Sequence, residues 1–184
     1  MIFHGVNIVY KQDPYLPDTE NYSPNDSLTE KDMQDLENWG FNIVRLGVIW
    51  EAVEKEPGVY DEDYLNKIEK LINELGDHGI YTIVDAHQDV ASRITCGEGI
   101  PSFYAQEILS EAHKYCIDPV LDYVLKPAME IGGVCKPMEE YNLEDDATGK
   151  PKAEDCQKTP FWEYYMTPEV QTLFRALYFN NFGL

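Results

Sequence analysis

The segment Ile80-Tyr-Thr-Ile-Val-Asp85-Ala-His87-Gln-Asp89 begins as a hydrophobic strand and ends in polar, titratable residues. Strand side chains alternate between two faces, so Ile83, Asp85 and His87 are predicted to share one face. In parallel sheets that are covered by helices, catalytic and binding groups lie at the carboxyl ends of the strands. The sequence therefore predicts a strand that ends in a functional site.

Two earlier segments, 3–10 and 41–50, have the same strand-like character, and the three segments start 38 and 39 residues apart. A helix that opens with the capping-box pattern Ser27-x-x-Glu30 and a helix from about Asp61 are predicted between them. Eight such repeats need roughly 300 residues, the size of a (β/α)8 barrel. The predicted fold is α/β: the truncated N-terminal portion of a TIM barrel, with about three βα units and a long irregular insertion.

The whole of 1–184 is predicted to be one partial catalytic domain. Its parts are 1–103 with the three βα units, 104–160 as a cysteine-containing insertion, and 161–184 as a helix leading towards a missing fourth strand. A helix is predicted around 103–131, followed by an irregular acidic stretch at 136–160. Thr167 is predicted to cap the last helix, because Pro168 suits a first helical turn.

The chain carries 34 acidic and 14 basic residues, a formal net charge of −20. Nucleic acids and anionic membrane surfaces would be repelled, because binding to either requires clustered Lys and Arg. A neutral substrate is favoured. No apolar run reaches the length of a membrane span, and the first twenty residues lack a signal-peptide pattern, so a signal peptide would have to lie upstream of this chain.

Four cysteines are widely spaced and form no CxxC pair: Cys96, Cys116, Cys135 and Cys156. This favours disulfides over a zinc site, with buried free thiols as the alternative, and three pairings remain open. One of them, Cys135 with Cys156, would close the irregular insertion. An extracellular or lysosomal location is favoured for the parent protein on the cysteine content.

Arg45 is flanked by apolar residues on the predicted second strand, and a buried charge there requires a partner. It is either a structural ion pair or a group that positions a catalytic carboxylate. His87 is either a hydrogen-bonded core residue or, together with Asp85, part of a ligand site. A metal-dependent hydrolase that uses Asp85, His87 and Asp89 is an alternative.

Three segments resemble family 5 glycoside hydrolases, in particular the endoglycoceramidase and glucosylceramidase-like branch. They are Phe3-His-Gly-Val-Asn-Ile-Val-Tyr-Lys11, Trp39-Gly-Phe-Asn-Ile-Val-Arg-Leu-Gly-Val-Ile-Trp-Glu51 and Val84-Asp-Ala-His-Gln-Asp-Val90. Gly97-Glu-Gly-Ile-Pro101 and Thr167-Pro-Glu-Val-Gln-Thr-Leu-Phe174 are similar to the same branch. The resemblance covers about residues 3–103 and 159–182.

The resemblance implies a glycosidase that hydrolyses O-glycosyl bonds of a glycosylceramide-type glycolipid with retention, without a cofactor, using two glutamates roughly 5 Å apart. Both glutamates are expected downstream of this chain, so the isolated fragment is expected to be inactive. By motif, Arg45 supports the nucleophile, whereas Lys11, Asp85 and His87 bind the sugar. A non-catalytic carbohydrate-binding fragment is the other alternative. Glu51 and Glu98 fall outside the family's catalytic positions and are interpreted as loop or supporting residues.

Overall fold

The computed structural model describes residues 2–112, 125 and 135–180. The chain divides into two compact units, Met1–His87 and Gln88–Leu184. The strands of the first unit are β1 (Gly5–Ile8), β2 (Ile43–Ile49), β3 (Glu54–Glu56), β4 (Val59–Tyr60) and β5 (Tyr81–His87), and its helices are α1 (Glu30–Asn38), α2 (Trp50–Val53) and α3 (Glu62–Asp77).

The three long strands form one parallel sheet in the order β1-β2-β5. Helices α1 and α3 occupy the connections between these strands, so the predicted βα alternation is confirmed. The register pairs Asn7 with Arg45, and Gly47 with Asp85. Residues paired in this way point to the same face of the sheet. The register therefore places Asn7, Arg45 and Asp85 on one common face.

A glycine is required where β1 begins. A side-chain carbon at Gly5 would lie 1.8 Å from the carbonyl oxygen of Ile43, which belongs to the neighbouring strand. Because that atom is backbone, any larger residue would push the two strands apart. Gly5 thus allows the close approach of β1 and β2.

The opposite face of β2 packs against the helices, whereas Val84, on the same face of β5, is 56% exposed. Val44 and Leu46 of β2 are 0% and 1% exposed. They belong to one buried cluster with residues from both long helices: Met33, Leu36, Ile68, Leu71 and Leu75. Within each helix these buried residues recur three or four positions apart, which is the pattern of an amphipathic helix.

The predicted start of α1 is wrong by two residues. Thr29 is the N-cap: its hydroxyl accepts a hydrogen bond from the Asp32 backbone NH, and the Asp32 carboxylate accepts one from the Thr29 backbone NH. Ser27 instead donates its hydroxyl to Asp32 at 3.0 Å. The later start leaves Leu28 just before the cap, where it and Met33 occupy the two positions of a hydrophobic staple, and both are buried in the same cluster.

A small hairpin after β2 was not predicted. Trp50, assigned from sequence to the end of a strand, begins α2, and β3 and β4 then pair antiparallel. The buried Glu54 accepts hydrogen bonds from the Gly58 backbone NH at 2.7 Å and from the Trp50 indole NH at 2.6 Å. Its carboxylate therefore ties the turn of the hairpin to the short helix.

Helix α3 begins and ends as predicted. The Asp61 side chain accepts a hydrogen bond from the Tyr64 backbone NH at 2.9 Å, which is an N-cap contact. The helix ends at Asp77, and Gly79 then adopts φ of +70°, a left-handed conformation that glycine tolerates at helix ends. Strand β5 follows two residues later.

The described part of the second unit is helical and irregular. Its helices are α4 (Ser102–Glu111), α5 (Ala153–Cys156), α6 (Phe161–Tyr164) and α7 (Pro168–Phe179). Buried residues on α4 and α7 include Ala105, Ile108, Val170, Leu173 and Ala176. The Thr167 hydroxyl accepts from the Val170 backbone NH, as predicted. Helix α4 occupies the start of the predicted range 103–131; beyond Ala112 that range, apart from Leu125, lies outside the described residues.

The proposed pairing of Cys135 with Cys156 is wrong: Cys96 and Cys156 form the disulfide, with their Cα atoms 5.5 Å apart. Cys135 is disulfide-bonded as well, and Cys116 lies outside the described residues. The bond ties the loop before α4 to α5, a link between distant segments that spacing along the chain does not reveal. Disulfides are therefore present, as the cysteine count favoured.

The described stretch 135–160 is irregular, as predicted, although it includes the 3-10 turn Met138–Tyr141 and the short helix α5. The Asp155 carboxylate accepts a hydrogen bond from the Glu144 backbone NH at 2.9 Å. Among the described helices, none is long and apolar enough to span a membrane.

Candidate functional site

One face of the β1-β2-β5 sheet is open, and we call it the inner face. It carries Asn7, Arg45, Ile83, Asp85 and His87, which alternate with the residues of the buried face. Ile83 is 52% exposed although it is apolar. The common face predicted for Ile83, Asp85 and His87 is confirmed, and the strand register places Asn7 and Arg45 on the same face.

Arg45, from the first half of β2, forms one cluster with Asp85 and His87, from the carboxyl-terminal half of β5. Arg45 Nη2 lies 2.6 Å from Asp85 Oδ2, and His87 Nδ1 lies 2.8 Å from the same oxygen. Because an ionised carboxylate only accepts hydrogen bonds, His87 carries a proton on Nδ1. The 3.4 Å approach of Arg45 Nη2 to His87 Nδ1 is then a contact between two donors that share one acceptor.

The cluster retains unused hydrogen-bonding capacity. Asp85 contacts both Arg45 and His87 through Oδ2, and within the described residues Oδ1 has no hydrogen-bond partner. Arg45 contacts its partners through Nη2 alone, in the same described part of the chain, and its side chain is 41% exposed. A carboxylate oxygen and the remaining guanidinium NH groups are therefore available to a ligand or to a further carboxylate.

Lys11 lies just beyond β1 and lines an open cleft of about 760 Å³ with the loop 22–28 and parts of α1. Arg45, Asp85 and His87 are not among the described residues that line this cleft. The structure thus brings three of the four predicted site residues into direct contact and places Lys11 separately, at the end of the neighbouring edge strand.

The two glutamates that were set aside in the sequence have local partners. Glu51 lies in α2, not in a loop, and accepts a hydrogen bond from the Tyr15 hydroxyl at 3.3 Å. Glu98 is buried in the second unit, where its backbone exchanges two hydrogen bonds with that of Asp89. Next to it, Gly97 is required because a side-chain carbon there would lie 1.9 Å from the Asp89 carbonyl oxygen.

Tyr165 is a residue that the sequence analysis missed. Its hydroxyl donates to Asp89 Oδ1 at 3.0 Å, across 76 positions of the chain. Burial raises the pKa of Tyr165, and the hydrogen bond to the Asp89 carboxylate raises it further. The hydroxyl therefore stays protonated at neutral pH and holds Asp89. No sequence pattern linked the two residues.

The metal alternative fits the charges of the first unit poorly. Asp85 would be a ligand, yet its Oδ2 already accepts from His87 and pairs with the Arg45 guanidinium at 2.6 Å. A fixed positive charge at that distance opposes a divalent cation at the same carboxylate. The Asp89 carboxylate is in turn engaged by Tyr165.

A family model described as cellulase (glycosyl hydrolase family 5) matches residues 10–118, more than half of the chain. The chain belongs to glycoside hydrolase family 5. The matched range contains Lys11 and the whole Arg45–Asp85–His87 cluster. It also contains β2 and β5 of the parallel sheet, whereas β1 ends at Ile8, before the matched range begins.

Relatives of this family 5 chain include an endoglycoceramidase of Cyanea nozakii, 32% identical over 99% of this chain and 32% of that protein. Endoglycoceramidase I of Rhodococcus hoagii is 34% identical over 72% of this chain and 25% of its own length. The solved structure of endo-glycoceramidase II from Rhodococcus sp. matches with a TM-score of 0.54 and 24% identity, over 100% of this chain and 31% of that one.

The chain thus spans about a third of the length of the relatives named first. The structural likeness and the parallel βα order together show that the fold is part of a (β/α)8 barrel. In such a barrel the inner face of the sheet becomes the barrel interior, and the carboxyl ends of its strands surround the active site. The Arg45–Asp85–His87 cluster lies on that inner face.

Proposed function

We propose that this chain is the N-terminal third of a retaining glycosidase that cleaves a glycosylceramide-type glycolipid. The observation that carries the proposal is the Arg45–Asp85–His87 cluster, because it presents an unused carboxylate oxygen and unused guanidinium donors on the inner face of a barrel sheet. The names of the similar proteins, endoglycoceramidase and glucosylceramidase, support the substrate class.

Asp85 is proposed to bind the sugar through Oδ1, the oxygen that neither Arg45 nor His87 uses. A sugar hydroxyl that donates to an ionised carboxylate makes one of the stronger hydrogen bonds in proteins. Arg45 and His87 fix the position of the carboxylate before substrate arrives, and this lowers the ordering cost of binding. His87 lies beside it on the same strand and contacts the same sugar.

Arg45 has a second proposed role. Its guanidinium is planar and offers five donors in a fixed fork, so it can hold two carboxylates at once. Asp85 pairs with Nη2 of Arg45. The other NH groups of the guanidinium would pair with the catalytic nucleophile, which a later strand supplies. A positive charge there keeps a nucleophilic carboxylate ionised.

Lys11 is proposed to donate to a sugar hydroxyl from the end of β1. Its ammonium group has three donors and no acceptor, which suits a hydroxyl oxygen. The net charge of −20 agrees with a neutral glycan as substrate, because an anionic substrate would be repelled. The division into 1–103, 104–160 and 161–184 belongs to the same proposal, with the middle part as an insertion near the barrel mouth.

Retaining hydrolysis needs an acid/base and a nucleophile whose carboxyl groups lie about 5 Å apart on opposite sides of the scissile bond. In this proposal both are contributed by strands beyond the third, so this chain binds and orients the sugar but does not cleave it. Carbohydrate binding without catalysis is the second candidate function, because the same cluster could bind a sugar in the absence of the acid/base and the nucleophile.

The experiment compares the 184-residue chain with the full-length enzyme, meaning the chain together with the remaining barrel strands. Both are incubated with a fluorescent glucosylceramide and with a longer glycosphingolipid. Turnover by the full-length enzyme alone is expected. Stoichiometric sugar release by the pure chain would contradict the assignment of the catalytic pair, and no release by either would favour the binding fragment. Metal analysis of the same samples tests the metal-dependent alternative.

A further inference from the structure

The loop between β1 and α1 carries two acceptor patterns for asparagine-linked glycosylation: Asn21-Tyr22-Ser23 and Asn25-Asp26-Ser27. We propose that Asn25 is an N-glycosylation site. The modification is independent of the glycosidase proposal, because it concerns a surface loop and the compartment through which the chain passes, and no residue of the Arg45–Asp85–His87 cluster takes part in it.

Asn25 has the surroundings that a glycan needs. The residue is exposed, and within the described part of the chain its side chain makes no hydrogen bond. Its backbone NH donates to the Ser23 hydroxyl at 3.4 Å, which fixes the turn and leaves the side-chain amide outside it. The residue lines the same open cleft as Lys11, and its exposed side chain is accessible to solvent.

Asn21 is the weaker of the two acceptors. A glycan on its side-chain nitrogen would disturb a contact of the folded chain, in which that NH2 donates to Asp18 Oδ2 at 3.2 Å beside the backbone NH bond to Asp18 Oδ1 at 2.8 Å. In addition, Pro24 follows Ser23 and restricts the backbone of that hydroxyl residue before folding. Ser27 is followed by Leu28 and has no such restriction.

The disulfide supplies an independent observation about the compartment. Cys96 and Cys156 are bonded, and Cys135 is disulfide-bonded too. Structural disulfides form and persist along the oxidising secretory route and are rare in the cytosol. Asparagine-linked glycans are added on the same route, to acceptor patterns on surface loops of secreted proteins. The acceptor pattern, the exposure of Asn25 and the disulfide therefore all support glycosylation of Asn25.

The covalent step uses a lipid diphosphate-linked oligosaccharide as donor. A bond forms between C1 of the first sugar and Nδ2 of Asn25, and the bond between C1 and the diphosphate oxygen breaks. The lipid diphosphate leaves with that electron pair, and the amide gives up one proton. No oxidation or reduction occurs.

The transfer must precede folding of the loop. In the folded chain the Ser27 hydroxyl contacts the Ser23 carbonyl oxygen at 2.8 Å and Asp32 at 3.0 Å, so it is held away from an external partner. Once attached, the glycan would cover the neighbouring Tyr22, which is 73% exposed. A bulky polar glycan beside an exposed aromatic ring increases the solubility of this loop.

The test is cell-free translation of the 184-residue chain behind a secretory leader, in the presence of endoplasmic reticulum microsomes. Protease protection identifies the translocated chains, and only these are scored for a mobility shift that a peptide N-glycosidase removes. The wild type is expected to shift. Ser27→Ala is expected to lose one glycan, whereas Ser27→Thr keeps it, since threonine also completes the acceptor pattern.

Ser23→Ala is the matched control, because it destroys only the Asn21 pattern and should keep the glycan at Asn25. Enzymatic release in water labelled with heavy oxygen then marks Asn25 as a labelled aspartate in the peptide mass spectrum. Misfolding of a variant does not confuse the result, because transfer acts on the unfolded chain. Translocated wild type without a shift, or a shift that Ser27→Ala leaves unchanged, would overturn the proposal.

Discussion

The two faces of the parallel sheet differ although the same strands build both. On the buried face, Val44 and Leu46 are at most 1% exposed and pack with the helices. On the inner face, the Arg45 side chain between them is 41% exposed and pairs with Asp85. Neighbouring residues of one strand therefore differ in their surroundings: Val44 and Leu46 pack into the core, and Arg45 presents a charged group on the inner face.

The largest expected effect is on the buried face. Leu46→Ala removes a fully buried side chain, and such changes cost about 2–5 kcal/mol of unfolding free energy. In the 184-residue chain, Ile83→Ala is the control on the inner face, where the residue is 52% exposed, and it should cost less than about 1 kcal/mol. Urea unfolding measures both. Equal losses would show that the inner face is also packed.

Arg45→Lys keeps the positive charge but loses the planar fork. In the full-length enzyme, kcat/KM for a glycosylceramide is expected to fall about 10- to 100-fold, since a hydrogen bond to a charged group contributes about 1.5–3 kcal/mol. The Asp85 contact at 2.6 Å would persist in part, so stability should change little. A purely structural ion pair would instead lower the melting temperature and leave kcat/KM unchanged.

Thr29→Ala tests the helix layer that covers the buried face. It removes the hydroxyl that caps α1 and should cost about 1 kcal/mol of unfolding free energy. Ser27→Ala is the matched control, because the sequence pattern assigned the N-cap to Ser27 whereas the structure assigns it to Thr29. Circular dichroism during urea unfolding separates them, and a larger loss for Ser27→Ala would contradict the observed cap.

The smallest effect concerns His78, which links the two helices of that layer. Its Nδ1 lies 2.9 Å from Glu37 and its Nε2 lies 3.1 Å from Glu30. The hydrogen bond to Glu37 raises the pKa of His78 above its ordinary 6.5, and Glu30 adds to the shift. The resulting stabilisation is fully present below pH 6.5 and is lost as the pH rises through the raised pKa.

An NMR titration of the His78 ring measures this pKa directly. Glu37→Gln should lower it towards the ordinary value, whereas Glu74→Gln, on α3 and paired with Lys70, should leave it unchanged. If Glu37→Gln did not move the titration, the contact would not form in solution.

The sequence predicted the two faces well because strand alternation is a short-range property. Asp85 and His87 are two residues apart, so their common face follows from the period of the strand, and the burial of Val44 follows in the same way. The start of α1 was missed because two overlapping patterns compete, and the burial of Leu28 decides between them.

Contacts between distant segments could not be predicted in this way. Cys96 and Cys156, which form a disulfide, are 60 residues apart in the chain. Tyr165 and Asp89, which form a hydrogen bond, are 76 residues apart. Spacing along the chain places no constraint on either. The hairpin at Glu54 was missed because its strands are only two and three residues long, too short to show alternation.

The decisive measurement is kcat/KM of the full-length enzyme carrying Asp85→Asn, compared with Leu46→Ala and the surface control Asp77→Asn. Asp85→Asn is expected to lower kcat/KM at least tenfold with the folded fraction unchanged. Leu46→Ala should lower stability and leave kcat/KM per folded molecule within about twofold. A fully active but unstable Asp85→Asn enzyme would show the opposite, namely that the cluster only supports the fold.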